Sequence, residues 1–154
     1  MKLKIFIASD HAGYELKEKL KEHLEKRFFV EDIGPFEYDQ KDDYPDFVIP
    51  CAEAVAKDVK RGSVGIVIGK SGQGEAMASN KVKGIRAVVY YGGTKEIIKL
   101  SKEHNDANIL SLGAGFISTR KAKNVVDLWI RTRFSELEWH KRRIGKIKKY
   151  ERRR

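Results

Sequence analysis

Apolar positions along the chain switch between two periods. Runs in which almost every residue is apolar, such as Gly65-Ile66-Val67-Ile68 and Ala87-Val88-Val89, suit strands covered on both faces. Between them lie longer segments with apolar residues at helical spacing. The pattern predicts strands over 2–8, 28–33, 63–68, 85–90 and 109–112. It predicts helices over 13–27, 46–61, 75–81, 94–103 and 119–131, and a final helix over about 135–150. Strands alternating with helices predict an α/β fold, a doubly wound parallel sheet.

At 154 residues and 41% hydrophobic, the chain has the size and apolar content of one domain, expected over 1–150 with a basic tail at 151–154. No apolar run is long enough to cross a membrane, and the opening Met-Lys-Leu-Lys-Ile-Phe-Ile-Ala-Ser-Asp meets an acid too early for a signal peptide. A cytoplasmic protein is expected. The single cysteine, Cys51, excludes an internal disulfide and reads as a buried small hydrophobe on the helix containing Phe47 to Ala56. Residues 141–154 hold nine Lys or Arg against one acid, so this end carries +8 of the net charge of +10. A solvated tail is favoured over a nucleic-acid arm, since no aromatic stacking motif accompanies it.

Three polar clusters interrupt the apolar pattern. In Val67-Ile68-Gly69-Lys70-Ser71-Gly72-Gln73-Gly74-Glu75 a strand enters a glycine-rich loop, expected over 69–74, and a helix is expected to open near Glu75. Glycines there let amide groups face an anion or a developing oxyanion, and a helix N-terminus adds partial positive charge. The loop lacks the Lys-Ser/Thr ending of a nucleotide-binding P-loop and the glycine spacing of a dinucleotide fingerprint. The first strand ends in Asp10-His11, and Lys102 to Asn108 form a polar stretch before the last strand. Each has an ordinary structural explanation: turn glycines, an N-cap at Asp10, a polar connection at 102–108. In a parallel sheet, however, Asp10, His11 and the 69–75 loop converge on the carboxyl edge.

Five motifs occur together: Asp10-His11-Ala12-Gly13, Asp43-Tyr44-Pro45, Gly69 to Glu75, Ala78 to Ala87, and His104-Asn105-Asp106-Ala107-Asn108. In this order and spacing, over about residues 3 to 150, the chain resembles the ribose-5-phosphate isomerase B family, which also holds the galactose-6-phosphate isomerase subunits. The resemblance implies five strands in a Rossmann-like order and a C-terminal helix that crosses to a dimer partner. It implies a homodimer with shared sites, and a possible tetramer. His104 and Asn105 would come from the subunit opposite the one carrying Glu75. Many family members use a cysteine base at the position of Gly69, whereas another branch uses a glutamate where Glu75 stands, and this chain resembles that branch. Ser71 and the amides of 70–74, including Gly72, Gln73 and Gly74, would stabilise the enediolate. His104 would open the sugar ring with Asp10 as its partner, Asn105 would hold sugar hydroxyls, and Tyr44 would line the substrate.

Phosphate recognition departs from the family. Gly115 and Trp139 stand where arginines are common, while His11 and Arg143 match phosphate-contacting positions and Lys70, Lys141 or Arg142 are available as point charges. The implied function is a cofactor-free, metal-independent aldose–ketose isomerase acting on ribose 5-phosphate. His11, His23, His104 and His140 show no ligand spacing. A hexose 6-phosphate of allose or galactose type, a free sugar, and a non-catalytic sugar-phosphate binding module are the alternatives.

Overall fold

The computed structural model describes residues 2–153. Five strands, β1 (Lys4–Ser9), β2 (Phe29–Gly34), β3 (Val64–Gly69), β4 (Ala87–Tyr90) and β5 (Ile109–Gly113), form one parallel sheet in the order β2-β1-β3-β5-β4. Six α-helices, α1 (Tyr14–Glu25), α2 (Pro45–Asp58), α3 (Gln73–Ser79), α4 (Glu96–Glu103), α5 (Thr119–Arg131) and α6 (Glu138–Glu151), connect and follow the strands.

Alternation within the strands assigns each residue a face. Ile5 and Ile7, level with Val64 and Ile66, join Leu110 and Leu112 on a face covered by Leu16, Leu20 and Leu24 of α1 and Val125, Val126 and Trp129 of α5. Phe6, Ala8, Val67 and Ile109 point the other way, onto Val48, Ala52 and Val55 of α2. Cys51 lies fully buried in that second layer, and burial pushes its thiol pKa up, so it is core and not a nucleophile. Helix α5 forms because Ser118 accepts a hydrogen bond from Lys121 N at the N-cap, and because Ala122, Val125, Val126 and Trp129 make one buried stripe.

Many boundaries differ by a residue or more from those the pattern predicts, and four of the starts have a local cause. Helix α3 begins at Gln73, not near Glu75, because Gly72 takes the N-cap with φ +78°. Glu75 therefore sits within the first turn and not at its opening. Strand β4 begins at Ala87 and not at 85, since Ile85 closes a turn onto Val82 O at 3.2 Å and Asn80 pairs with Ala87 through both its amide groups. Helix α4 begins at Glu96 and not at 94, where Thr94 Oγ1 accepts from Glu96 N. Residues 132–137 run outside any helix, tied by Ser135 N to Glu103 O at 3.1 Å, so α6 begins at Glu138 and not at 135. Glu151 is the last residue of α6, and its carboxylate accepts from Gly84 N at 2.9 Å.

Candidate active site

Chains leaving β1 and β3 diverge, one towards β2 and the other towards β4, so a crevice opens between the carboxyl ends of these neighbouring strands. Asp10, just beyond β1, donates its amide to Ile68 O, and its Oδ1 caps the following turn by accepting from Gly13 N at 3.1 Å. The loop after β3 is held from below: Ala114 N and Gly115 N donate to Gly69 O and Lys70 O at 2.8 and 2.9 Å. Ser111 Oγ donates to Gly72 O at 2.6 Å. Ser71 Oγ accepts from Gln73 N, while Gly74 and Glu75 lie in the first helical turn, where amides have no intrahelical acceptor. Tyr44 packs against Gly74, so closely that a Cβ there would stand 2.7 Å from the ring. Lys70 and Gln73 are exposed at the rim.

Glu75 is 4% exposed and points back under the loop. A Cβ built on Gly69 would fall onto its carboxylate, inside van der Waals contact of Cδ and both oxygens and 2.6 Å from Oε2. The carboxylate thus occupies the volume that a side chain at 69 would fill. Burial raises the Glu75 pKa above the ordinary carboxylate range, and the nearby Asp10 charge raises it further.

A second cluster lies at the other edge of the sheet. Helix α4 returns from the carboxyl end of β4 to the amino end of β5, and His104 caps it there, exposed, with Asn105 beside it. Arg86, just before β4, donates to the carbonyls of Asn105 and Asp106 and fixes this corner. His104 lies over the buried His140 of α6, ring centroids 4.2 Å apart, and Ser135 Oγ sits 2.7 Å from His140 Nδ1. The pKa of His140 is lowered by burial, with His104 and Arg143 adding to the effect, which places Arg143 in this cluster. A groove of about 620 Å³ between α6 and the turn before β4 has Asn105 on its wall and not Glu75. Within one chain, then, Asp10, His11, Tyr44 and 70–75 stand at one edge and His104, Asn105 and Arg143 at the other. Asp10 and His104 do not meet.

Residues 5–147 match the family model described as "Ribose/Galactose Isomerase". The chain belongs to the ribose/galactose isomerase family. Among its relatives, ribose-5-phosphate isomerase B of Mycobacterium leprae is 38% identical over 97% of this chain and 91% of its own length. A probable ribose-5-phosphate isomerase B of Mycoplasma genitalium is 41% identical over 98% and 97%. The crystal structure of ribose-5-phosphate isomerase B from Mycoplasma genitalium with bound ribulose-5-phosphate superposes with a TM-score of 0.92, at 40% identity, covering 99% of this chain and 98% of that one. The Clostridium thermocellum enzyme gives 0.89, at 40% identity, covering 98% of this chain and 99% of that one.

In this ribose/galactose isomerase the two positions without arginine differ in character. Gly115 backs onto Lys70, and a Cβ there would lie 3.1 Å from Lys70 Cγ and O, a tight contact without a left-handed backbone. Trp139 is 46% exposed, its ring edge-on to His140. Sequence spacing also hides one group. Asp10, His11 and Asp42 bring ligand-type atoms within 4.8 Å of one another, although the histidines alone show no such spacing. Asp42 Oδ1 already takes the His11 Nδ1 and backbone N–H hydrogens, at 2.7 and 2.9 Å, so the arrangement is a carboxylate-bound imidazole rather than an open ligand set.

Proposed function

We propose that this enzyme interconverts ribose 5-phosphate and ribulose 5-phosphate through an enediolate, without a metal or cofactor. The observation that carries the reading is the buried Glu75 carboxylate, set in the space above Gly69 beside the amide-rich loop. The ligand bound in the Mycoplasma genitalium relative supports the pentose. His104 gives a proton to the ring oxygen as the anomeric hydroxyl loses its own, opening the aldose. Glu75 then takes the proton from C2, the electron pair moves onto O1, and the loop amides with Ser71 Oγ hold the oxyanion. The same carboxylic acid returns the proton to C1 while the O2 hydroxyl proton passes to O1, which leaves the ketose.

Because His104, Asn105 and Arg143 lie at the far edge of their own sheet, a complete site needs two copies of the chain. We infer a homodimer in which His104 and Asn105 of one copy close over the Glu75 of the other. The membrane-impermeant charge of a sugar phosphate requires the enzyme to share its compartment, and we place it in the cytoplasm. Turnover of ribose 5-phosphate, set against allose 6-phosphate, galactose 6-phosphate and the free sugars, tests the assignment. Highest kcat/KM on ribose 5-phosphate supports it; preference for a hexose phosphate replaces the substrate, and no turnover of any of them leaves a binding module.

Phosphate binding rests on His11 and Arg143, with Gly115 and Trp139 unable to supply a guanidinium fork. Arg143→Ala is therefore expected to raise KM for ribose 5-phosphate roughly ten- to a hundredfold, since a charge-assisted hydrogen bond contributes about 1.5–3 kcal/mol. It should barely alter any turnover of a free sugar. Unchanged kinetics for every phosphorylated substrate would remove Arg143 from the site.

A further inference from the structure

Asp42 has no part in the chemistry above, yet it bonds directly to the histidine of the proposed phosphate site. Its side chain is 7% exposed, against 31% for His11. One oxygen, Oδ1, accepts both the backbone amide and the ring Nδ1 of His11. The other, Oδ2, is buried without a hydrogen-bond partner. The imidazole is the group in contact with this carboxylate. Among the described residues, the groups facing His11 are Asp42 from the loop before α2, Asp10 from its own segment, and the edge of the Tyr38 ring, centroids 6.4 Å apart, itself braced on Tyr14. Both acids favour imidazolium. With Nδ1 committed, Nε2 is the nitrogen left for a ligand.

We propose that Asp42 is a positioning residue for the phosphate site, holding the His11 ring as an Nδ1-bonded cation whose Nε2–H meets the substrate phosphate in place of the missing guanidinium groups. The proposal rests on the isomerase reading and adds to it a specific source of positive charge. The hydrogen bond to Asp42 raises the His11 pKa, with Asp10 adding to it, so the ring stays charged to a higher pH than a free imidazole near 6.5. Loss of the acid removes that protection, and the ring then deprotonates at a lower pH.

Asp42→Asn is the test, because an amide oxygen still accepts from the His11 backbone and preserves the turn. KM for ribose 5-phosphate is followed from about pH 7, where a sugar phosphate is already mainly a dianion. In Asp42→Asn, KM above the pH at which its His11 ring loses the proton is expected to rise roughly five- to tenfold, the difference between a charged and a neutral hydrogen bond. The effect on kcat should be much smaller, and the pH at which KM begins to climb should fall. In a His11→Lys background, where the charge no longer depends on a partner, Asp42→Asn should change KM less than about twofold. NMR titration of the His11 ring, with and without inorganic phosphate, reads the same effect without turnover: phosphate raises the midpoint in the unsubstituted protein, and Asp42→Asn lowers it. If wild-type enzyme fails on ribose 5-phosphate, the substrate assignment falls and this titration still decides the role of Asp42. An unmoved His11 midpoint and KM profile in a folded Asp42→Asn protein, or a penalty undiminished in the lysine background, overturns the proposal.

Discussion

Glu75→Gln is expected to lower turnover of ribose 5-phosphate by on the order of a hundredfold or more while leaving KM nearly intact. Glutamine has the volume of glutamate and fits the same buried space, so packing is kept and only the proton acceptor is lost. The unsubstituted enzyme should show the matching pH signature. Burial and the Asp10 charge raise the Glu75 pKa, and a base works only when ionised. Activity should therefore fall as pH drops through that raised value, at a higher pH than an ordinary glutamate near 4.3 would dictate. Asp10→Asn keeps the cap on Gly13 N and should shift this acid limb downward. Near wild-type turnover in Glu75→Gln would end the assignment of the base.

Gly69→Ala is expected to be nearly as damaging, although it adds one methyl group at a residue with no reacting atom. Its Cβ would overlap the Glu75 carboxylate, and the neighbouring backbone cannot give way, because Gly69 O and Lys70 O are bonded to the loop after β5. Either the carboxylate leaves its place or the strand end shifts, and overpacking of this kind costs about 1–3 kcal/mol. Turnover should fall roughly a hundredfold and the thermal midpoint should drop. The diagnostic measurement is the double variant. With Glu75→Ala already in place, Gly69→Ala should cost almost no further stability, because the two groups compete for one volume. Additive stability losses would show that the crowding lies elsewhere.

Much of this was legible in the chain itself. Runs such as Gly65 to Ile68 are apolar at every position because helices cover both faces, and that pattern needs no partner to be recognised. The glycine-rich loop announced itself through glycines after a strand. The misses are of another kind. Gly72 starts α3 two residues early, a choice of backbone hand that composition does not fix. Residues 132–137 carry helix-compatible side chains yet run outside any helix, with Glu136 at φ +58° and the segment held by Glu103 O, a contact distant in sequence. The overlap of positions 69 and 75 and the bond from His11 to Asp42 are both tertiary facts, between residues six and thirty-one apart. An acid two residues before a Tyr-Pro pair gives no signal of the imidazole it will meet. The two-edged arrangement of Glu75 and His104 follows from parallel topology, which the alternation of strands and helices does imply.

The shared volume at positions 69 and 75 also constrains how such a site can change over generations. A cysteine arriving at 69 while Glu75 is present collides with the proposed base, and loss of Glu75 while 69 is glycine leaves the proposed site without one. Each exchange is harmful alone and tolerable only with the other, which is sign epistasis enforced by atomic radii. A lineage that trades a carboxylate base for a thiolate must cross a valley of low activity or relax the pocket first. Two chemically different catalysts within one fold are thus kept apart by a space that admits a single side chain.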